Sequence, residues 1–112
     1  MAPLPGLIGV LDWADRIGAH RAVVTNAPRA NAEFVLAALG LTTRFETLVI
    51  GEELARNKPD PLPYATALAR LGRPVASAVA FEDSRSGIAA ARTAGLFTYE
   101  VKITIQENND PA

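Results

Sequence analysis

The stretch VAFEDSRSGIAAARTAG, residues 79–95, decides how this chain folds. It is an apolar run that stops at two adjacent carboxylates, Glu82 and Asp83, and gives way to a helix of small residues that Gly95 ends. Like charges at the end of a buried strand repel each other, and burial deprives them of hydration. A bound metal ion would offset both costs, so the stretch predicts a strand, a metal-binding turn and a helix.

Helix and strand patterns alternate along the whole chain. Helical periodicity, in each case followed by a glycine that can end the helix, is found at residues 7–17, 34–39, 62–71 and 86–94. Apolar strand patterns are found at residues 21–25, 47–50, 77–81 and 97–105, the last one the most exposed. Continuous apolar strands joined by amphipathic helices are typical of a parallel sheet that helices cover on both faces. We therefore predict a three-layer, Rossmann-like α/β fold.

Length and composition limit the classes of protein to which the chain can belong. Its 112 residues suffice for one domain, residues 1–112, and 49% of them are apolar. Eleven basic and twelve acidic residues give a net charge of −1 and no basic patch, which argues against a nucleic-acid partner. The absence of cysteine excludes disulfides and thiolate metal sites. No apolar run is long enough to span a membrane and no signal peptide is visible, so we expect a soluble, cytoplasmic protein.

Polar side chains cluster just after the predicted strands, where parallel sheets bind their ligands. A hydroxyl and a lysine suit a phosphate dianion, together with the backbone N–H groups at the start of a helix. Paired carboxylates suit a hard ion such as Mg²⁺. The candidate residues are Thr25, Asn26, Lys58, Glu82, Asp83 and Ser84. The set predicts phosphate chemistry that depends on magnesium.

Three motifs follow one another along the chain: AVVTN at 22–26, KPDP at 58–61 and VAFEDSRSG at 79–87, the last one continuing as a G-I-x-A-A-x-x-A-G helix. Together and in register, they resemble the haloacid dehalogenase superfamily of hydrolases, of the phosphoglycolate phosphatase and β-phosphoglucomutase type. The resemblance extends over roughly residues 3–99 and is to the C-terminal part of such proteins. It implies phosphatase or phosphomutase activity on small phosphorylated metabolites through an aspartyl-phosphate.

The resemblance also implies a role for each candidate residue. Thr25 would donate a hydrogen bond to the phosphate, with Asn26 orienting the substrate beside it. Lys58 would neutralise the charge of the phosphoryl group during transfer. Glu82 and Asp83 would hold Mg²⁺, and Ser84 would orient these carboxylates.

The family's first motif, a strand that ends in D-x-D-G-[TV], is not found in these 112 residues. In relatives its first aspartate attacks phosphorus and its second acts as general acid and base. Asp12 and Asp15 are the only competitors, but they are three residues apart, lack the following Gly-Thr and belong to an amphipathic helix. The cap module that selects the substrate would also be absent, so we expect this chain to be inactive alone.

The missing motif has a structural consequence, because the resemblance places its strand at the centre of the sheet, between the strands that end at Thr25 and near Asp83. Three outcomes remain open: the flanking strands pair directly, a strand of another copy or chain fills the position, or the chain is a truncated part of a longer enzyme. The tail at residues 100–112 departs from the family, and its alternating Val101, Ile103 and Ile105 could extend the last strand.

Each candidate residue also has a purely structural alternative. Lys58 could be a solvated surface charge, Asp83 or Ser84 could only cap a helix, and Thr25 and Asn26 could only end a strand and start a helix.

Two hypotheses for the function of the chain remain at this point. The chain is either part of a Mg²⁺-dependent phosphatase or phosphomutase, or a non-catalytic, free-standing α/β module with weak residual phosphate or Mg²⁺ affinity. In the second case the chain could be a homo-oligomer in which strand exchange fills the missing central position.

Overall fold

The computed structural model describes residues 5–101, in which α-helices and short strands alternate. The elements are α1 (Pro5–Ile17), β1 (Ala22–Thr25), α2 (Arg29–Ala38), β2 (Thr47–Ile50), α3 (Leu62–Leu71), β3 (Val79–Glu82), α4 (Arg85–Thr93) and β4 (Phe97–Glu100). Three single-turn 3-10 helices lie between them, at Thr42–Arg44, Gly51–Glu53 and Val75–Ser77. The predicted order of helices and strands is confirmed.

Several boundaries differ from the prediction. The 3-10 turn Val75–Ser77 takes up the start of the predicted third strand, so β3 begins at Val79 and extends to Glu82. Helix α4 begins one residue early because Ser84 caps it, its Oγ accepting a hydrogen bond from the Gly87 N–H at 3.1 Å. Strand β4 ends at Glu100, and residues 102–105 of the predicted fourth strand lie outside the described residues.

The strands pair in parallel, but in two separate pairs instead of one sheet. Strand β1 pairs with β2, with Ala22 opposite Thr47, and β3 pairs with β4, with Val79 opposite Phe97. Within residues 5–101, β1 and β3 are not hydrogen-bonded to each other. Direct pairing of the two flanking strands, one of the three outcomes considered above, is therefore not observed.

The backbone hydrogen bonds show which edges of β1 and β3 are open. The Val101 N–H donates to the Glu82 carbonyl at 2.8 Å, so the peptide groups of Glu82 face β4. Since successive residues of a strand present their peptide groups to opposite edges, those of Phe81 face away from β4. Likewise the Glu46 N–H donates to the Arg21 carbonyl at 2.9 Å on the β2 side. The peptide groups of Val24 therefore face the edge of β1 that is not paired.

Helices α3 and α4 connect the two strand pairs. Helix α3 packs on β1 and β2, α4 packs on β3 and β4, and the two helices contact each other. The small side chains of Ala90 and Ala91, both fully buried, let α4 lie close to the sheet. Burial of Val49 and Ile50 in β2 contributes roughly 1.5–3 kcal/mol each. The central buried cluster consists of Tyr64, Ala80, Ala90, Ala91 and Leu96.

The face of the β3–β4 pair opposite α4 is apolar and exposed, although the sequence predicts a sheet covered on both faces. Val79 and Phe81 are 47% and 44% exposed, and Phe97 and Tyr99 beside them are 64% and 50% exposed. The Phe81 and Tyr99 rings stack with their centroids 5.1 Å apart. The inward side chains of β3 are instead Ala80 and Glu82.

No helix among residues 5–101 has the length and apolar character needed to cross a membrane.

Candidate active site

The six residues singled out in the sequence line one open pocket of about 340 Å³ at the carboxyl ends of β1 and β3. Thr25 and Asn26 follow β1, Lys58 comes from the loop before α3, and the remaining three end β3 and begin α4. The remaining lining residues are Val24, Ala27, Phe81 and Ser86. Residues far apart in sequence thus converge at the edge of the sheet where ligands of α/β proteins bind.

Lys58 is buried and not a solvated surface charge, with a side chain that is only 7% exposed. Its Nζ donates to the Val24 carbonyl at 2.9 Å and to Glu82 Oε2 at 2.5 Å. An ammonium group has three donors, so these two contacts leave one for a ligand in the pocket. A buried cation thus links the backbone of β1 at Val24 to the last side chain of β3, Glu82.

Glu82 is held by four donors, and its side chain is only 6% exposed. Oε2 accepts hydrogen bonds from Lys58 and from the Tyr64 hydroxyl at 2.5 Å. Oε1 accepts from the Ser84 hydroxyl at 3.3 Å and from the Asp83 backbone N–H at 3.2 Å. Both carboxylate oxygens are therefore fully engaged with protein groups.

These contacts determine the ionisation of the site. Burial by itself raises the pKa of Glu82, but the hydrogen bonds from Lys58 and Tyr64 and the charge of Lys58 outweigh it, so the net pKa is lowered. Burial also raises the pKa of the Tyr64 phenol, and the hydrogen bond to Glu82 raises it further. At neutral pH the site therefore holds an ionised Glu82 beside a protonated Tyr64.

Gly87 makes room for the Glu82 carboxylate. A Cβ at position 87 would lie 2.1–2.3 Å from the carboxyl atoms of Glu82, closer than any real contact. The first glycine of the small-residue helix is thus required by the buried carboxylate in front of it. Only the absence of a side chain at this position lets α4 begin directly over Glu82.

Asp83 directly follows β3, and its carboxylate takes no part in the contacts that hold Glu82. Asp83 is exposed at the pocket, and within residues 5–101 its carboxylate has no hydrogen-bond or ion-pair partner. Ser84, not Asp83, is the residue that caps α4. The adjacent carboxylates therefore differ in their contacts: that of Glu82 binds Lys58, whereas that of Asp83 has no such partner among residues 5–101. No group of three or more metal-ligating side chains occurs in the described part of the chain.

Thr25 and Asn26 form the other wall of the pocket. Thr25 Oγ1 accepts a hydrogen bond from the Ala27 N–H at 3.0 Å, which leaves its O–H as a donor. Asn26 does not cap α2, whose N-cap is Pro28 without a side-chain hydrogen bond. A Cβ on Gly51, the residue after β2, would lie 2.6 Å from Asn26 Oδ1. Gly51 therefore permits the approach of Asn26.

Asp12 and Asp15 lie on helix α1, outside this pocket. Both carboxylates pair with Arg44, at 3.1 and 3.0 Å, and Asp15 also pairs with Arg21. The hydrogen bond from Arg21 holds the pKa of Asp15 below its usual range. Arg21 precedes β1, whereas the pocket lies beyond the end of that strand, about 13 Å away at 3.3 Å per residue. These aspartates are surface ion-pair residues.

The sequence gives only weak signals for Tyr64 and Gly51, which complete the site. Tyr64 reads as an ordinary core position of amphipathic α3, although a buried phenol usually needs a hydrogen-bond partner. That requirement could have linked Tyr64 to a nearby carboxylate, but not to Glu82 in particular.

Comparison with known proteins identifies the family. A sequence profile of the haloacid dehalogenase-like hydrolases matches residues 1–95. The chain belongs to this family of hydrolases. The family resemblance of the three motifs is therefore confirmed.

Among relatives of this haloacid dehalogenase-like hydrolase, protein CbbY of Rhodobacter capsulatus is 43% identical over 96 residues, which are 83% of this chain and 42% of CbbY. A phosphoglycolate phosphatase of Xylella fastidiosa is 39% identical over 94 residues, 84% of this chain and 41% of that protein. Fructose-1-phosphate phosphatase YqaB of Escherichia coli is 36% identical over 101 residues, 90% of this chain and 53% of YqaB. The chain spans about half of the length of these relatives, or less.

Solved structures confirm the Rossmann-like fold class of this hydrolase. CbbY from Rhodobacter sphaeroides in complex with phosphate superposes with a TM-score of 0.86 at 32% identity, over 96% of this chain and 49% of that one. A CbbY variant from the same organism, in complex with xylulose-1,5-bisphosphate, gives 0.85 at 32% identity over the same shares. β-Phosphoglucomutase from Clostridium difficile gives 0.79 at 25% identity, over 97% of this chain and 47% of the other.

Proposed function

We propose that this chain supplies the phosphate-binding half of a Mg²⁺-dependent phosphatase or phosphomutase that acts on small phosphorylated metabolites. The observation that carries the proposal is the buried Lys58, held between the Val24 carbonyl and Glu82 with one donor left at the pocket. A cation fixed in this way compensates the charge of a phosphoryl group without reorganising during transfer. The relatives named above, which include two phosphatases and a phosphoglucomutase, support the substrate class.

The side chains around Lys58 fit a phosphate dianion. The free O–H of Thr25 donates to a phosphate oxygen, and the Asn26 amide beside it orients the rest of the substrate. Lys58 contributes the positive charge. Ser84 stays engaged as helix cap and as donor to Glu82, so it orients the site without contacting the substrate.

Asp83 fits Mg²⁺ because it lines the pocket and its carboxylate has no partner among residues 5–101. Mg²⁺ in phosphoryl-transfer sites is usually bound through one or two carboxylates, substrate phosphate and water. When bound, the ion would neutralise phosphate charge and orient the phosphoryl group. Glu82, the other carboxylate expected to bind the ion, has both oxygens occupied by protein donors, so we assign it instead to holding Lys58.

We further propose that a strand from another segment carries the nucleophilic aspartate and lies between β1 and β3. Among residues 5–101 no strand pairs with the edges of β1 and β3 at Val24 and Phe81, which supports this position. A strand in parallel register there would end beside Lys58 and Asp83. It would place an aspartate against the phosphate that these residues bind.

Phosphate binding and hydrolysis test the proposal separately. Inorganic phosphate should shift the ¹⁵N amide signals of Thr25, Asn26 and Ser84 in the 112-residue chain, more strongly with Mg²⁺ present. The same chain should not hydrolyse an aryl phosphate, and neither should its Asp83→Asn variant. The absence of phosphate-dependent shifts would favour a non-catalytic α/β module. Hydrolysis that Asp83→Asn abolishes would mean that a carboxylate of this chain, Asp12 foremost, is the nucleophile.

A further inference from the structure

We propose that Tyr64 is a positioning residue for Lys58, acting through Glu82. The inference rests on the proposed function and adds to it a residue outside the pocket lining. The Tyr64 hydroxyl donates to Glu82 Oε2, the same oxygen that accepts from Lys58 Nζ, and both distances are 2.5 Å. One carboxylate oxygen therefore joins a rigid core side chain to the cation at the pocket.

Tyr64, the residue that anchors the Glu82 carboxylate, is held rigidly in the core. Tyr64 is 7% exposed and belongs to the central buried cluster, packed among α3, α4 and β3. Its hydroxyl fixes Oε2, while Ser84 and the Asp83 N–H fix Oε1. With both oxygens fixed, the carboxylate cannot rotate without losing hydrogen bonds in a buried site, where an unpaired donor or acceptor is costly.

Lys58, the residue that needs positioning, has a flexible side chain. Lys58 lies in the loop before α3, and its side chain has four rotatable bonds whose freedom opposes an ordered geometry. Val24 and Glu82 accept its hydrogen bonds, and its Nζ lies 5.5 Å from the centroid of the Tyr64 ring. Tyr64 thus contributes both a face for the cation and a hydroxyl that sets where Glu82 holds it.

The variant Tyr64→Phe separates these contributions, because it keeps the ring and removes only the hydroxyl. The chain has two tyrosines, and Tyr99→Phe is the matched control, since it makes the same change at an exposed position that does not contact Lys58. Tyr64→4-aminophenylalanine is the conservative variant, because it restores an N–H donor at the same place on the ring.

The first readout is the exchange of the Lys58 ammonium protons with water. The chain has only two lysines, so selective ¹⁵N-lysine labelling in a Lys102→Arg background leaves one side-chain signal. We expect exchange to become about tenfold faster in Tyr64→Phe, as for a lost hydrogen bond to a charged group, to be unchanged in Tyr99→Phe and to return in the amino variant. The second readout is phosphate affinity, which should fall with the faster exchange.

The outcomes separate the positioning role from the proposed function. If wild-type protein shows no response to phosphate, the proposed function fails, while the exchange rates still test Tyr64. If Tyr64→Phe leaves both readouts within twofold of wild type, or if Tyr99→Phe changes them equally, the positioning role is wrong. Should Tyr64→Phe fail to fold, the role of Tyr64 can be tested in the wild type. Labelling with ¹³C-tyrosine would allow the exchange rates of the two tyrosine hydroxyl protons to be compared. A Tyr64 hydroxyl proton that exchanges as fast as that of Tyr99 would then overturn the proposal.

Discussion

Replacing Gly87 by alanine should displace Glu82 and break the buried ion pair with Lys58. The new Cβ would lie 2.1–2.3 Å from the Glu82 carboxyl, and that group is held from the opposite side by Lys58 and Tyr64. Overpacking costs about 1–3 kcal/mol, and disrupting a buried pair costs about 3–5 kcal/mol. The higher helix propensity of alanine relative to glycine offsets about 1 kcal/mol of this cost. We expect Gly87→Ala to lower the free energy of unfolding by about 3–7 kcal/mol.

Urea unfolding followed by far-UV circular dichroism measures this loss, with Gly9→Ala as the matched control. Gly9 also lies inside a helix, but a Cβ there meets nothing within 4 Å. The control should therefore show the propensity gain alone, a rise of up to about 1 kcal/mol. If Gly87→Ala were as stable as Gly9→Ala, the carboxylate would not be held against α4, and the geometry deduced for Glu82 would be wrong.

Three further changes probe the same site. Glu82→Gln should make unfolding less sensitive to acid. The folded-state pKa of Glu82 is lowered, so its contribution to stability is complete above the ordinary glutamate pKa of 4.5 and is lost as pH falls through the lower folded pKa. The urea midpoint of unfolding, measured as a function of pH between neutral pH and pH ~3, checks this prediction. If the midpoint fell equally with pH in the variant and in the wild type, the prediction would be contradicted. Asp83→Asn should change stability by less than about 0.5 kcal/mol, since that carboxylate is exposed and has no partner among residues 5–101, yet it should remove the Mg²⁺-dependent part of the phosphate shifts. Asp12→Asn should leave phosphate binding unchanged in the same NMR titration, and weaker binding would return Asp12 to the candidate site.

The sequence was sufficient to predict which residues meet at the pocket. The carboxyl ends of parallel strands share one edge, so Thr25, Asp83 and the loop after β2 that carries Lys58 could be expected there from strand order. The helix ends were also predictable, because glycines such as Gly72, in the left-handed conformation with a φ of 64°, follow the apolar patterns directly. The assignment of residues 1–112 to a single domain stays a prediction.

The sequence was not sufficient to predict which way each side chain points. Strand periodicity shows that Glu82 and Asp83 face opposite sides, but the apolar Val79 and Phe81 suggest that their own side is the buried one. The structure reverses this, because Lys58, Tyr64 and the space above Gly87 together accommodate a charge on the inner face. Such compensation depends on three distant segments, and no local pattern records it.

The separation of the strands into two pairs has a consequence for how the chain folds. Each pair is built from neighbouring stretches of sequence, residues 22–50 and residues 79–100, so each requires only a short loop closure. The first pair can form during synthesis before the second has left the ribosome. Docking through α3 and Lys58 would then be the late step, and the edges of β1 and β3 that are unpaired within residues 5–101 would be accessible to a further strand throughout folding.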